Sequence, residues 1–242
     1  MCYTGEATLD WGVRPMNIQG FQKLTLLDFP GRTACTVFTG GCNLRCPFCH
    51  NAGLVRTPMA EKNRTDEVLD YLARRQGILD GVCVTGGEPL LQPDLTEFLR
   101  QVKALGYAVK LDTNGSLPDR LAPVLDTGLV DYVAMDVKSS PAGYASATGS
   151  DTDPAVYDRS VQLLRGSGIP HEFRTTAVKG LHTLADFAAI GQWLCGADRY
   201  FIQRFVDSGN LLGEGFQPFS DEEMAGLLEQ VLPYIPRAQL RG

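Results

Sequence analysis

Short apolar runs alternate with amphipathic helical stretches from about residue 33 to residue 206, and that rhythm constrains the chain more than any other feature. Apolar content and chain breakers place strands over residues 33–39, 81–85, 107–111, 131–135, 171–178 and 200–206. Helical spacing fills the gaps. Val68, Leu69 and Leu72 share a face after Thr65-Asp66, and Leu95, Phe98, Leu99 and Val102 do so after Pro93-Asp94. Further helices are expected over residues 118–125, 154–164 and 185–194, with an amphipathic one over 220–233. Repeats of this kind with short loops require parallel strands, because a crossover between parallel neighbours needs the length of a helix. Six units are too few for a closed eight-stranded barrel. The expected fold is therefore α/β, a partial (βα)6 barrel of the TIM type with a parallel sheet, in a single domain. Residues 1–32 are expected as an N-terminal extension, 33–206 as the barrel core and 207–242 as a C-terminal helical segment. A length of 242 residues suits that plan.

In such sheets functional groups gather at the C-terminal ends of the strands. The unusual polar clusters of this chain fall there: Cys42 to Cys49 after the first strand, Gly86-Gly87-Glu88 after the second, Asp112-Thr113-Asn114 after the third and Asp136-Val137-Lys138 after the fourth. One such cluster could be chance, whereas four on one rim point to a site. The net charge of −6 argues against a general nucleic-acid or anionic-membrane surface. No run approaches the roughly 18 apolar residues of a membrane span, and Met1 to Glu6 lack a signal-peptide pattern, so a soluble cytoplasmic protein is expected.

Seven cysteines sit at positions 2, 35, 42, 46, 49, 83 and 195, an odd count unlike a secreted disulfide framework. Three of them form C-x3-C-x2-C in the run Cys42-Asn43-Leu44-Arg45-Cys46-Pro47-Phe48-Cys49. Thiolates so close can converge on one soft metal centre, and three of them satisfy three irons of a four-iron cluster while leaving the fourth open. A structural zinc site would need His50 or a distant cysteine as fourth ligand. His50 directly follows Cys49, a poor spacing for a shared ion, and no second half-site occurs elsewhere. Three unrelated core cysteines do not suit a loop rich in Gly, Asn, Arg and Pro. An iron–sulfur centre is the expectation.

These motifs resemble the radical S-adenosylmethionine enzymes: C-x3-C-x2-C after the first strand, an aromatic Phe48 before the third cysteine, and Gly86-Gly87-Glu88-Pro89 after the second strand. The resemblance covers roughly residues 17 to 206. Cys49-His50-Asn51, Asp112-Thr113-Asn114-Gly115 and Asp136-Val137-Lys138 are further similar to the glycyl-radical-enzyme activases. Asp28-Phe29-Pro30-Gly31-Arg32 resembles their Asp-Gly-Pro-Gly element, with Phe29 in place of a glycine. The form that serves anaerobic ribonucleoside-triphosphate reductase and lacks a ferredoxin-like insert is the most similar.

The resemblance implies that Cys42, Cys46 and Cys49 hold a [4Fe-4S] cluster whose open iron chelates S-adenosylmethionine, which is then cleaved reductively to a 5′-deoxyadenosyl radical. It implies cofactor contacts from Phe48, Gly86, Gly87, Glu88, Asp112, Thr113, Asp136, Lys138 and Arg174. Two glycines would let the backbone approach the ligand. Asp136 and Lys138, two apart at a strand end, can share a face, and Lys138 and Arg174 would meet the cofactor's carboxylate. Asp112, Thr113 and Asp136 match positions around a monovalent cation. His50 and Asn51 are expected to hydrogen-bond the loop, and His171 and His182 to be ordinary polar residues. The implied partners are a glycyl radical enzyme, with anaerobic ribonucleotide reductase favoured, and a flavodoxin or ferredoxin electron donor. Neither nucleic acid nor a membrane is an expected partner. The alternative is a radical enzyme acting on a small molecule, such as 7-carboxy-7-deazaguanine synthase, whose relatives carry a run like Thr85 to Gln92. A metal-bound structural protein that has lost catalysis is disfavoured by the retained strand-end polar groups.

Overall fold

A computed structural model describes residues 16–56, 64–207 and 209–241. Residues 1–15 of the expected N-terminal extension, Cys2 among them, lie outside the described residues. One eight-stranded sheet runs in chain order: β1 (Ile18–Thr25), β2 (Ala34–Thr39), β3 (Gly81–Gly86), β4 (Ala108–Thr113), β5 (Tyr132–Asp136), β6 (His171–Ala177), β7 (Tyr200–Arg204) and β8 (Gln239–Arg241). Strands β2 to β8 pair in parallel, and β1 pairs antiparallel with β2. The helices are α1 (Ala52–Arg56), α2 (Thr65–Ala73), α3 (Leu95–Ala104), α4 (Pro118–Asp126), α5 (Tyr144–Thr148), α6 (Pro154–Gly166), α7 (Leu184–Trp193) and α8 (Asp221–Val231).

The strands expected from the sequence are β2 to β7, each within two residues of its expected bounds. Both edge strands differ from expectation. Residues 18–25 form β1 rather than a featureless extension, and 239–241 form β8 rather than part of a helical tail. The reason is local: Ile-Gln-Gly-Phe-Gln-Lys-Leu-Thr is polar and carries a glycine, and three residues are too few for any periodicity.

Helix starts follow from their caps. Asp153 accepts from the Ala155 amide at 2.9 Å ahead of Pro154, a residue suited to the first helical position. Thr183 with Asp186 and Ser220 with Glu223 form reciprocal capping boxes that start α7 and α8. Outside the sheet, Val82, Val84, Val109, Leu111 and Val133 pack in one core with helix residues such as Leu72, Leu99, Leu121, Leu164 and Ile190. Each such burial contributes about 1.5–3 kcal/mol, so this outer layer carries the stability of the fold.

The inner face is polar. Asp112 on β4 reaches Arg174 on β6 at 3.2 Å, across the intervening β5, and only a sheet curled about that face permits it. Glu172 on β6 likewise meets Arg241 on β8 at 2.9 Å, across β7. At the N-terminal ends of the strands Phe29 packs with Ala34, Ala108 and Tyr132. A Cβ on Gly81 would lie 2.8 Å from the Phe29 ring, so that ring fills the floor of the barrel. Here lies the physical use of an aromatic at this position of the Asp28-Phe29-Pro30-Gly31 turn. No helix of the described residues is long and apolar enough to cross a membrane.

Glu172 is 1% exposed, accepts from the Tyr132 hydroxyl at 2.9 Å and receives both terminal nitrogens of Arg241 at 2.9 and 3.2 Å. Arg241→Met leaves that carboxylate short of its counter-charge. We expect a loss of about 3 kcal/mol in denaturant unfolding, largely recovered in the Arg241→Met/Glu172→Gln double variant.

Candidate active site

A pocket of about 470 Å³ opens at the C-terminal rim of the strands. Its wall includes Cys42, Cys46, Phe48 and Cys49 from the loop after β2, Gly86 and Gly87 from the end of β3, Asp112 and Thr113 from β4, Asp136 and Lys138 after β5, and Arg174 from β6. Strand register brings them together: Asp136 is paired with Arg174, and Thr39 with Gly86. Of the residues expected to hold the cluster or touch the cofactor, Glu88 alone is absent from that wall. Thr176 and Gln203, register partners on β6 and β7, line it as well, as do Asp28 and Thr36 deeper in the barrel.

The glycine pair packs backbone on backbone. Gly87 donates to Thr39 O at 2.9 Å and Glu88 N donates to Gly41 O at 2.8 Å. A Cβ on Gly87 would sit 1.9 Å from Gly41 O, and one on Gly86, whose φ is +119°, would sit 2.3 Å from Thr39 N. The glycines thus let the β3 loop lie directly on the loop that leads to Cys42. Asn51 extends the same clamp, its Nδ2 donating to Gly86 O at 3.3 Å.

Cys42, Cys46 and Cys49 are all free thiols. Leu44 N and Asn114 Nδ2 donate to Cys42 Sγ at 3.4 and 3.7 Å. Burial raises the pKa of Cys42, and raises that of Cys46 to about 12, although Lys138 works in the opposite direction on both. His50 is exposed and faces Phe205, with ring centroids 5.6 Å apart. Among the described residues no three His, Cys, Asp or Glu side chains are placed to hold a single metal ion. Thiolates around a multi-iron cluster each bind a different iron and need not converge on one point.

Opposite the cysteines runs a chain of charges that passes from buried Lys110 and Asp112 to half-buried Arg174, Asp136 and Lys138. Lys110, 1% exposed, contacts Asp112; Arg174 reaches Asp112 at 3.2 Å and Asp136 at 2.8 Å; Lys138 reaches Asp136 at 3.1 Å. Burial opposes ionisation of Asp136, but Arg174 and Lys138 outweigh it and hold its carboxyl well below the usual carboxylate range. Burial also works against the Lys138 charge, and Asp136 more than restores it. Lys138 is steadied from behind by His182, whose Nδ1 accepts from Val178 N at 3.1 Å and whose Nε2 donates to Lys138 O at 2.9 Å. His182 also packs edge-on against Phe48, which makes it part of the wall's support rather than an incidental polar residue.

Glu88 corrects the expectation of a ligand contact. It is fully buried, and its carboxylate accepts from Thr113 Oγ1 at 2.9 Å, Asn114 N at 2.7 Å and Leu90 N at 3.1 Å. It ties the end of β3 to the turn after β4 instead of facing the pocket. Sequence reasoning passed over Lys110, and placed Asn114 in a strand-end cluster without giving it a contact. A lysine two residues before an aspartate on one strand, which puts both on one face, was a usable signal for the first.

The Radical SAM superfamily pattern matches residues 36–194. The chain belongs to that superfamily. Members take a [4Fe-4S] cluster and S-adenosylmethionine, and this radical SAM chain offers a fitting donor set: three free thiols on one loop, in a pocket that also carries Lys138 and Arg174. A Methanocaldococcus jannaschii protein provisionally named a glycyl-radical enzyme activating enzyme is 31% identical over 199 residues, 78% of this chain and 79% of its own length. The 7-carboxy-7-deazaguanine synthase of Methanopyrus kandleri is 35% identical over 143 residues, 51% of this chain and 54% of that one. In structure, SuiB of Streptococcus suis bound to S-adenosylmethionine superposes with a TM-score of 0.68 at 15% identity, over 84% of this chain and 48% of SuiB. That likeness concerns the fold.

Burial raises the Glu88 pKa to about 7, overcoming the three donors that hold its carboxylate. An acid whose folded pKa exceeds its unfolded one stabilises most below the unfolded pKa, and that contribution is lost as pH rises through the folded pKa. Glu88→Gln removes this loss. Thermal melts of both proteins at pH 5 and pH 7.5 are expected to show the variant gaining on the wild type by several degrees as pH rises.

Proposed function

We propose that this radical SAM enzyme is a glycyl-radical-enzyme activase that abstracts hydrogen from a backbone glycine of a partner enzyme. The observation that carries the reading is the match to the provisionally named activating enzyme, which runs along 78% of this chain and 79% of that protein. Asp112-Thr113-Asn114-Gly115 and Asp136-Val137-Lys138 support it, since both motifs resemble activase motifs and both line the pocket through residues 112–114, 136 and 138. The sheet is also open, with β1 at one edge and β8 at the other, which leaves a side through which a polypeptide loop can approach. Anaerobic ribonucleoside-triphosphate reductase is the proposed partner, with a flavodoxin or ferredoxin as electron donor.

In this reading Cys42, Cys46 and Cys49 are the cluster ligands. Bound there, the cluster supplies the electron that cleaves S-adenosylmethionine reductively. The chain's own residues bind and orient. Lys138 and Arg174 present positive charge to the cofactor's carboxylate, with Asp136 and Asp112 fixing both heads. Carbonyls of the Gly86-Gly87 turn accept from its ammonium group. Phe48, 3% exposed and held by His182, gives an apolar surface for the adenine. Glu88 holds Thr113 and Asn114 in place from outside the pocket. Burial of Cys46 and the plugged floor at Phe29 keep water from the reacting centre.

A small-molecule reading is favoured by one observation, the match to the deazaguanine synthase over half of this chain. One experiment separates the two. The anaerobically reconstituted, reduced protein is mixed with S-adenosylmethionine and a candidate anaerobic ribonucleotide reductase, and its electron paramagnetic resonance spectrum is recorded. The activase reading expects a glycyl doublet that is lost in Cys46→Ala and without S-adenosylmethionine. Formation of 5′-deoxyadenosine with no doublet from any glycyl radical enzyme would favour the small-molecule reading.

A further inference from the structure

We propose that Lys110 is a built-in cation that holds Asp112 in place and frees this chain from any need for a dissolved monovalent ion beside S-adenosylmethionine. The inference rests on reading the rim pocket as the S-adenosylmethionine site. The resemblance to the activases sets a monovalent cation against Asp112, Thr113 and Asp136, and here those donors are already engaged. Asp112 Oδ1 is in contact with the Lys110 ammonium, and its Oδ2 takes Arg174 at 3.2 Å. Asp136 Oδ1 takes Arg174 Nε at 2.8 Å, and its Oδ2 takes Lys138 at 3.1 Å. The Thr113 hydroxyl donates to Glu88 and accepts from Gly115 N at 3.1 Å.

The three cations of this cluster differ in what they can do. Lys138 and Arg174 line the pocket and, while held by Asp136 and Asp112, can present further N–H donors to a ligand carboxylate. Lys110 does not line it. It is 1% exposed, rises from the strand two residues before Asp112, and has Cys83 Sγ at 3.8 Å as its other polar neighbour. Burial works against its charge, and Asp112 more than compensates. When Arg174 is shared between a ligand and the two aspartates, Asp112 therefore keeps in Lys110 a counter-charge that cannot diffuse away. Lys110 is thus a positioning residue that never touches the ligand.

The test is equilibrium dialysis of S-adenosylmethionine against the cluster-loaded, oxidised protein, which binds without cleaving. It is run in potassium chloride and in tetramethylammonium chloride at equal ionic strength. Wild-type affinity is expected to agree within about twofold between the salts, since bulk screening is matched. Lys110→Met is expected to bind roughly tenfold more weakly or worse in tetramethylammonium and to recover in potassium or ammonium, as loss of an outer support for a ligand-holding group does. Wild-type binding that requires potassium would overturn the inference. So would Lys110→Met binding like wild type in tetramethylammonium. The wild-type comparison stands even if the variant does not fold, and Lys110→Arg, which keeps the charge, is expected to stay salt-independent. Failure of the wild type to bind in either salt would instead sink the assignment of the pocket, and the inference with it.

Discussion

Parallel register is the constraint on which the site depends. Pairing of β5 with β6 sets Asp136 directly beside Arg174, and pairing of β2 with β3 sets Thr39 beside Gly86. Side chains alternate along a strand, so a slip of one residue would turn Asp136 and Arg174 into the layer of valines and leucines behind the sheet. The curl of the sheet adds the second step. It lets Asp112 on β4 reach Arg174 past the whole of β5, which closes the run of charges from Lys110 to Lys138.

Buried ion pairs gain little net stability, because desolvation offsets much of their attraction. The inner face of this barrel therefore makes sense as a binding surface supported by the fold rather than as a support for it. Stability comes from the apolar layer between sheet and helices, while two plugs close the floor: the ring of Phe29 and the Glu172–Arg241 pair. With the floor closed, the polar pocket opens toward the rim that bears the thiols.

The thiol loop is held to neighbouring loops by backbone contacts that only glycine allows. Gly86 and Gly87 lie on Thr39 and Gly41, and Glu88 reaches on to Thr113 and Asn114, whose side-chain amide returns to Cys42. Three strand ends thus form one braced unit around the cysteines. Ligands on a loop gain the fixed geometry of a sheet when their surroundings are locked in this way.

Much of this was legible in the chain itself. Strands β2 to β7, the longer helices between them, the three thiols and the polar strand ends are local patterns of residue type and spacing, and local patterns survive in a one-dimensional reading; the five-residue helices α1 and α5 were too short to show one. The edge strands were not legible, since β1 is polar and β8 spans three residues. Nor were the true uses of individual groups. Glu88 reads as a pocket residue by its position after Gly-Gly, yet it faces the turn after β4; Lys110 drew no reading at all, yet it is sealed against Asp112. Those outcomes depend on which groups meet across the curled inner face, between residues far apart in the chain. Sequence determined which strands exist and which chemistry collects at their ends. Tertiary structure alone decided which side chains line the pocket and which stand behind them, because distances across the barrel are set by the curl of its sheet and not by spacing along the chain.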